Sequence, residues 1–194
     1  MNLKTLSVII SRIFDFYFWL PVLLSATIFK SGLTANQIKI LFPSLLVLDV
    51  GTPILVFFGL LKSKGVSDID LTERRQRYKF FLPFTLVFTL STILAYIFGN
   101  QLFFVLHLIG FSVVASMILI TLFWKISGHL IMNTVSIFVL NFLLDWKILW
   151  LFILLPLVAF ARIYLKKHTL VEVLSGAILG LLEPYLILKF FNLI

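Results

Sequence analysis

Cysteine is absent from the 194 residues, so neither a disulfide framework nor a thiolate metal site is available. Charge is scarce: 12% of residues are charged, against about 25% in soluble domains, and Asp and Glu together number only 8. With 3 histidines beside those few carboxylates, a metal-ligating set is short of donors. Low-complexity tracts, interdomain linkers and obvious internal repeats are missing as well. No small-residue cleavage pattern follows the basic start of MNLKTLSVIISRIFDFYFWL, so that run is expected to be a first membrane span and not a removable signal. What is present is apolar: 61% hydrophobic residues, among them 22 phenylalanines. That usage is expected of an integral membrane protein. The net charge of +8 does not point to nucleic acid, because the basic residues cluster between apolar runs and suit phosphate ligands or anionic lipid better.

A bilayer core takes roughly 20 helical residues to cross. The apolar runs fall at about 8–29, 41–61, 80–98, 102–124, 130–144, 148–165 and from 169 to the C-terminus. The expectation is an all-α polytopic helical bundle of six or seven transmembrane helices, the short fifth run being the one in question, forming a single domain over residues 1–194 with its motif-bearing core at about 62–192. Two spans separate the polar loop Lys62–Lys79 from Lys125-Ile-Ser-Gly-His129, and two more separate that stretch from Ala161–Gly176. By that parity all three polar clusters share one membrane face, where they can build one site.

Each cluster has a chemical and a plainer reading. His168 and Glu172 stand four residues apart at the start of the last run, so the carboxylate lies on the same helix face as the imidazole and can accept its Nδ1 proton, leaving Nε2 as nucleophile or base. Arg162 flanks them. Lys166 and Lys167 read as interface side chains. Ser127, Gly128 and His129 open a helix whose backbone N–H groups suit an anion, although Ser-Gly before a helix is commonly only a cap. Arg74, Arg75 and Arg77 can hold phosphate oxygens bidentately or merely mark a cytoplasmic loop. Together the clusters fit a metal-free phosphoryl-transfer site, which depends on positioning and on neutralising oxygen charge.

These residues resemble the type 2 phosphatidic acid phosphatase family, the membrane branch of the haloperoxidase-like phosphatases, whose motifs read Lys-x6-Arg-Pro, Pro-Ser-Gly-His and Ser-Arg-x5-His-x3-Asp. Arg162, His168 and Glu172 keep the third spacing, with Ala161 for Ser and Glu172 for Asp. Ser127-Gly128-His129 keeps the second, with Ile126 for Pro. In the first, with Arg77 as its arginine, Tyr78 replaces Pro and Asp70 stands where Lys is expected. The resemblance implies a haloperoxidase-like core and a metal-independent, cofactor-free phosphatase that works through a phosphohistidine. His168 would attack phosphorus, Glu172 orient it, and His129 protonate the leaving oxygen and later activate water. Arg77, Arg162, Arg74 and the Ser127 and Gly128 backbone would hold the phosphate. At headgroup level the substrate would be a membrane lipid, either a prenyl (di)phosphate or a phosphatidate-like molecule.

Asp15, Asp49, His107 and Glu183 lie inside apolar runs, where charge is costly and suggests function; interhelical pairing is the expected role for most of them. Asp49 stands out beside Gly51 and Pro53, which can loosen a helix. Ser175-Gly176 and Gly180 suit close helix packing. Eleven or twelve of the 16 lysines and arginines fall on the motif face, depending on Arg12, which favours a cytoplasmic orientation for it in a cell membrane. Two other readings stay open: a catalytically weak or inactive member that binds anionic headgroups, and a small transporter with Asp49, His107 and Glu183 along its ion path. The oligomeric state is left undetermined.

Overall fold

The computed structural model describes residues 2–194, and every regular element among them is helical. The helices are α1 (Leu3–Ile13), α2 (Phe16–Lys30), α3 (Ala35–Leu45), α4 (Thr52–Lys62), α5 (Arg77–Phe98), α6 (Gln101–Phe123), α7 (Gly128–Leu143), α8 (Leu154–Tyr164) and α9 (Leu170–Phe190). Five helical stretches, Leu3–Lys30, Ala35–Lys62, Arg74–Phe98, Gln101–Phe123 and Leu170–Phe190, are long and apolar enough to cross a membrane. Two shorter apolar stretches, Gly128–Leu143 and Leu149–Tyr164, accompany them. The chain is a multi-pass membrane protein by this measure. Large side chains such as Phe123, Phe190 and Leu55 are more than seven-tenths exposed, at 85%, 79% and 74%, as lipid-facing positions should be.

Each of the seven apolar runs has a helical counterpart, but two are interrupted for local reasons. The first breaks after α1: the Phe14 N–H closes back on Ile10 O at 3.1 Å, and the Asp15 carboxylate accepts from the Phe16 N–H at 2.8 Å, capping α2. The Phe14 carbonyl freed by that break accepts from Asn133 Nδ2 at 2.8 Å, so that group is not stranded there. In the second run Leu46–Gly51 widens into a π-helical turn between α3 and α4. Pro43 precedes it and Pro53 opens α4. Proline cannot donate to the carbonyl four residues earlier and crowds it; for Pro53 that carbonyl belongs to Asp49, and a π turn relieves the crowding with one extra residue.

Residue contacts gather in two compact units, one made of the chain up to Leu23 with Ile126–Asn192, the other of Leu24–Lys125. In the first, Leu130, Val158 and Val173 form a buried apolar cluster with Ile10, Phe14, Ala159 and Ala177 around it. α7 is buried along nearly its whole length, and α9 approaches it closely. A Cβ on Gly176 would meet Ser127 O at 2.7 Å, and one on Gly180 would meet Thr134 Cβ at 2.8 Å and Ile131 O at 2.9 Å. Between membrane helices such close van der Waals contact replaces the hydrophobic drive that water provides elsewhere. In the second unit, Leu24, Ile28, Leu41, Leu45, Ala95 and Phe103 form the buried cluster, and Asn100 caps α6 while its amide reaches Ser31 O at 2.6 Å.

Candidate active site

The turn from α8 to α9 sets the spacing of Arg162, His168 and Glu172. α8 ends with Lys166 in the left-handed region at φ 54°. There the Lys166 N–H reaches Ile163 O at 2.9 Å and the Lys167 N–H reaches Arg162 O at 3.0 Å. This pairing is a Schellman motif, normally built on glycine. The His168 N–H turns onto the same Arg162 carbonyl at 3.3 Å, so the backbone locks histidine and arginine into one turn. Lys166 is therefore the residue on which this turn is built. Thr169 then caps α9 in a reciprocal box: its hydroxyl accepts from the Glu172 N–H, and Glu172 Oε2 accepts from the Thr169 N–H, both at 3.3 Å.

Within that frame His168 Nδ1 lies 2.6 Å from Glu172 Oε2. Because Oε2 is already the acceptor of the Thr169 amide, the imidazole is the donor, which places a proton on Nδ1; in the neutral ring of that tautomer Nε2 carries the lone pair. The side chain of His168 is only 2% exposed and that of Glu172 13%. Glu172 thus has two tasks, helix cap and imidazole orienter, and a glutamate at the third helical position suits the first of them.

Arg162 is buried, and its Nη1 donates to Ser11 Oγ at 2.7 Å. Guanidinium groups only donate, so the Ser11 oxygen accepts. His129 Nε2 stands 3.5 Å from Ser11 Oγ and 3.5 Å from Asp15 Oδ2, and its tautomer decides which partner donates. Asp15 also lies 3.9 Å from Arg12 Nη1. The His129 carbonyl accepts from Asn133 Nδ2 at 2.7 Å, and Asn133 Oδ1 accepts from Trp19 Nε1 at 3.0 Å. The unit therefore brings together two histidine-carboxylate pairs, His168 with Glu172 and His129 with Asp15, and a buried arginine tied through Ser11 to the second.

Ser127 begins α7 without acting as its side-chain cap. Its N–H is taken by the Glu172 carbonyl at 3.2 Å, which joins the second motif to the third directly and removes that amide from the expected anion site. The Ser127 hydroxyl, fully buried, has no hydrogen-bond partner among the described residues. A polar group left so usually serves a ligand or a water. Gly128 is the first helical residue of α7.

The arginines of the first motif belong to the other unit, Leu24–Lys125. Arg77 is buried and its Nε donates to Leu71 O at 2.9 Å. The loop that presents Leu71 is itself folded around Asp68, whose carboxylate accepts from the Asp70 N–H at 2.9 Å and the Thr72 hydroxyl at 2.9 Å. Arg74 Nη1 donates to Leu122 O at 2.8 Å, a cation on the last carbonyls of α6. Arg74, Arg75 and Lys79 line an open cleft of about 530 Å³.

Ser11 and Asn133 are site residues that the sequence alone did not single out; a serine and an asparagine in apolar runs carry no pattern of their own. Asp15, expected only to pair between helices, does so with the second-motif histidine. No group of three or more His, Asp or Glu side chains capable of holding a metal ion occurs among the described residues.

No family model, no curated protein and no solved structure matches this chain. The reading of the site rests on its own chemistry.

Proposed function

We propose that the protein is an integral membrane phosphatase acting on a lipid phosphate or prenyl (di)phosphate through a phosphohistidine. The observation that carries this reading is the His168–Glu172 contact: a buried imidazole whose Nδ1 proton is held by a carboxylate, which suits Nε2 of the neutral ring to act as nucleophile. Attack by Nε2 forms a nitrogen-phosphorus bond as the bond to the leaving oxygen breaks. His129, in the same unit, supplies the proton to that oxygen. It then takes a proton from the water that hydrolyses the phosphohistidine, and free phosphate leaves. Arg162 and the Ser127 hydroxyl neutralise and hold phosphate oxygens, together with the Gly128 N–H. The chemistry draws on no resident cofactor.

The substrate of this reading is amphiphilic, which is supported by the place of His168 and Glu172 at the start of α9, a helix long and apolar enough to cross a membrane: its phosphate reaches the site from the headgroup layer and its tail stays in the bilayer. The excess of Lys and Arg on the motif face favours a cytoplasmic site in a cell membrane. A haloperoxidase-like core of six or seven spans is the architecture this reading implies.

The test is phosphate release by the full-length protein in lipid nanodiscs, from phosphatidate and from prenyl mono- and diphosphates, with EDTA present. Release that survives EDTA and disappears in His168→Ala is expected. Absence of release from every substrate sinks the phosphatase reading, and undiminished release by His168→Ala sinks the nucleophile assignment.

A further inference from the structure

The unit Leu24–Lys125 holds a second polar cluster that the phosphatase chemistry does not use. Asp49, carried by the π-helical turn Leu46–Gly51, is 5% exposed; His107 of α6 is 6% exposed and Ser91 of α5 is fully buried. His107 Nε2 lies 3.4 Å from Asp49 Oδ2, and the Ser91 hydroxyl contacts Asp49 Oδ1. All three lie well inside helical stretches long enough to span a membrane. Asp49 is about 20 Å from either end of its stretch at 1.5 Å per residue. An ionisable residue at such a depth is expensive to keep and marks function more often than not, and π turns concentrate at functional sites.

Hydrogen-bond bookkeeping fixes the proton content of the cluster. His107 Nδ1 is 2.9 Å from the Phe103 carbonyl, which can only accept, so Nδ1 carries a hydrogen. A neutral imidazole of that tautomer presents a bare lone pair at Nε2. A carboxylate oxygen facing it would set two acceptors against each other inside the membrane and leave a net negative charge without water. One proton between Nε2 and Oδ2 removes both penalties, either as imidazolium with carboxylate or as neutral imidazole with carboxylic acid. The surroundings accommodate either state. The Ser91 hydroxyl can donate to Oδ1 whether it is a carboxylate oxygen or the carbonyl oxygen of the acid, and its Oγ also lies 3.1 Å from Val87 O. The elements packed on the π turn are α3, α4 and α5. Lys39 of α3 is exposed, Lys62 stands at the end of α4, Arg77, Tyr78 and Lys79 stand at the start of α5, and Tyr96 is exposed near its end; α6 carries no ionisable side chain besides His107.

We propose that Asp49, His107 and Ser91 form a reversible intramembrane proton-binding site. The ligand is a single proton, held between Oδ2 and Nε2 and released to give a carboxylate beside a neutral imidazole. The proposal is independent of the phosphatase reading and stands or falls without it.

Infrared spectroscopy of the full-length protein in nanodiscs tests it, with the buffer stepped from acidic to alkaline and proton uptake followed by a soluble indicator dye. The expected result has three parts: a carboxyl or imidazolium band that titrates reversibly with one proton per chain, loss of that band in Asp49→Asn, and a shift of its midpoint in His107→Asn and Ser91→Ala. Circular dichroism establishes that each variant is folded, and the wild-type titration is informative without any variant. A spectrum unchanged over the whole range in which the protein stays folded overturns the proposal, as does a titrating band that Asp49→Asn retains. A midpoint that moves with sodium or potassium concentration also overturns it, and reassigns the cluster to a metal cation.

Discussion

Glu172→Gln separates the two tasks of one side chain. Glutamine at the third position of a helix still completes a capping box with threonine, so the mutual bonds of Thr169 and Glu172, 3.3 Å each, survive and α9 keeps its start. What is lost is the charge facing His168 Nδ1 across 2.6 Å. A hydrogen bond to a charged group contributes about 1.5–3 kcal/mol, against about 0.5–1.5 for a neutral pair. The amide can also turn its NH2 toward the ring and favour the wrong tautomer. Since each 1.36 kcal/mol is about tenfold in rate, losing the whole charged bond predicts a fall in kcat/KM of roughly 10- to 150-fold. Thermal stability should fall by no more than the about 1.5–3 kcal/mol of that bond, because the helix cap is kept. Glu172→Ala removes cap and orienter together, so it should match that loss of activity and add about 0.5–2 kcal/mol of destabilisation, the range for a lost helix cap. The assay pairs phosphate release with the unfolding midpoint in detergent. Wild-type activity in Glu172→Gln beside an unstable Glu172→Ala would refute the orienting role and leave Glu172 as a cap alone.

Other substitutions probe separate links. Gly176→Ala should destabilise by about 1–3 kcal/mol, the usual cost of overpacking, because its Cβ meets Ser127 O at 2.7 Å; an unchanged unfolding midpoint would contradict the close α7–α9 approach. Lys166→Gly should stabilise by up to about 1 kcal/mol while leaving phosphate release intact, since glycine relieves the left-handed φ of 54°; denaturant unfolding measures it. Asp15→Asn should lower kcat more than it raises KM, because it removes the carboxylate that faces His129 at 3.5 Å while leaving Arg162 and Ser127 in place; steady-state kinetics with the same lipid substrate separates the two.

The all-helical class was legible from composition and run length, because a chain with 61% hydrophobic residues has few other ways to satisfy its backbone in lipid. The contact between His168 and Glu172 was legible too, since residues four apart on a helix share a face. What the spacing concealed is the second role of Glu172 as partner of Thr169, which appears only once the helix start is known. The break at Phe14 and Asp15 was hidden inside a continuous apolar run, because the group that compensates it, Asn133, lies 119 residues away. Ser11 was hidden for the same reason: its partner Arg162 is 151 residues distant, and no local pattern reports such a pairing. The Ser127 amide was expected to face an anion and instead meets the Glu172 carbonyl, a tertiary contact that the Ser-Gly-His signature cannot encode. The looseness at Asp49, by contrast, followed from Gly51 and Pro53 and took the form of a π turn.

The central claim is a covalent bond between phosphorus and His168 Nε2. Full-length protein mixed with lipid substrate bearing radiolabelled phosphate, and quenched in alkali during turnover, should carry an acid-labile, alkali-stable label on the peptide that contains His168. His168→Ala should carry none. Rapid turnover with no label on any histidine, or the same label in His168→Ala, would contradict the account.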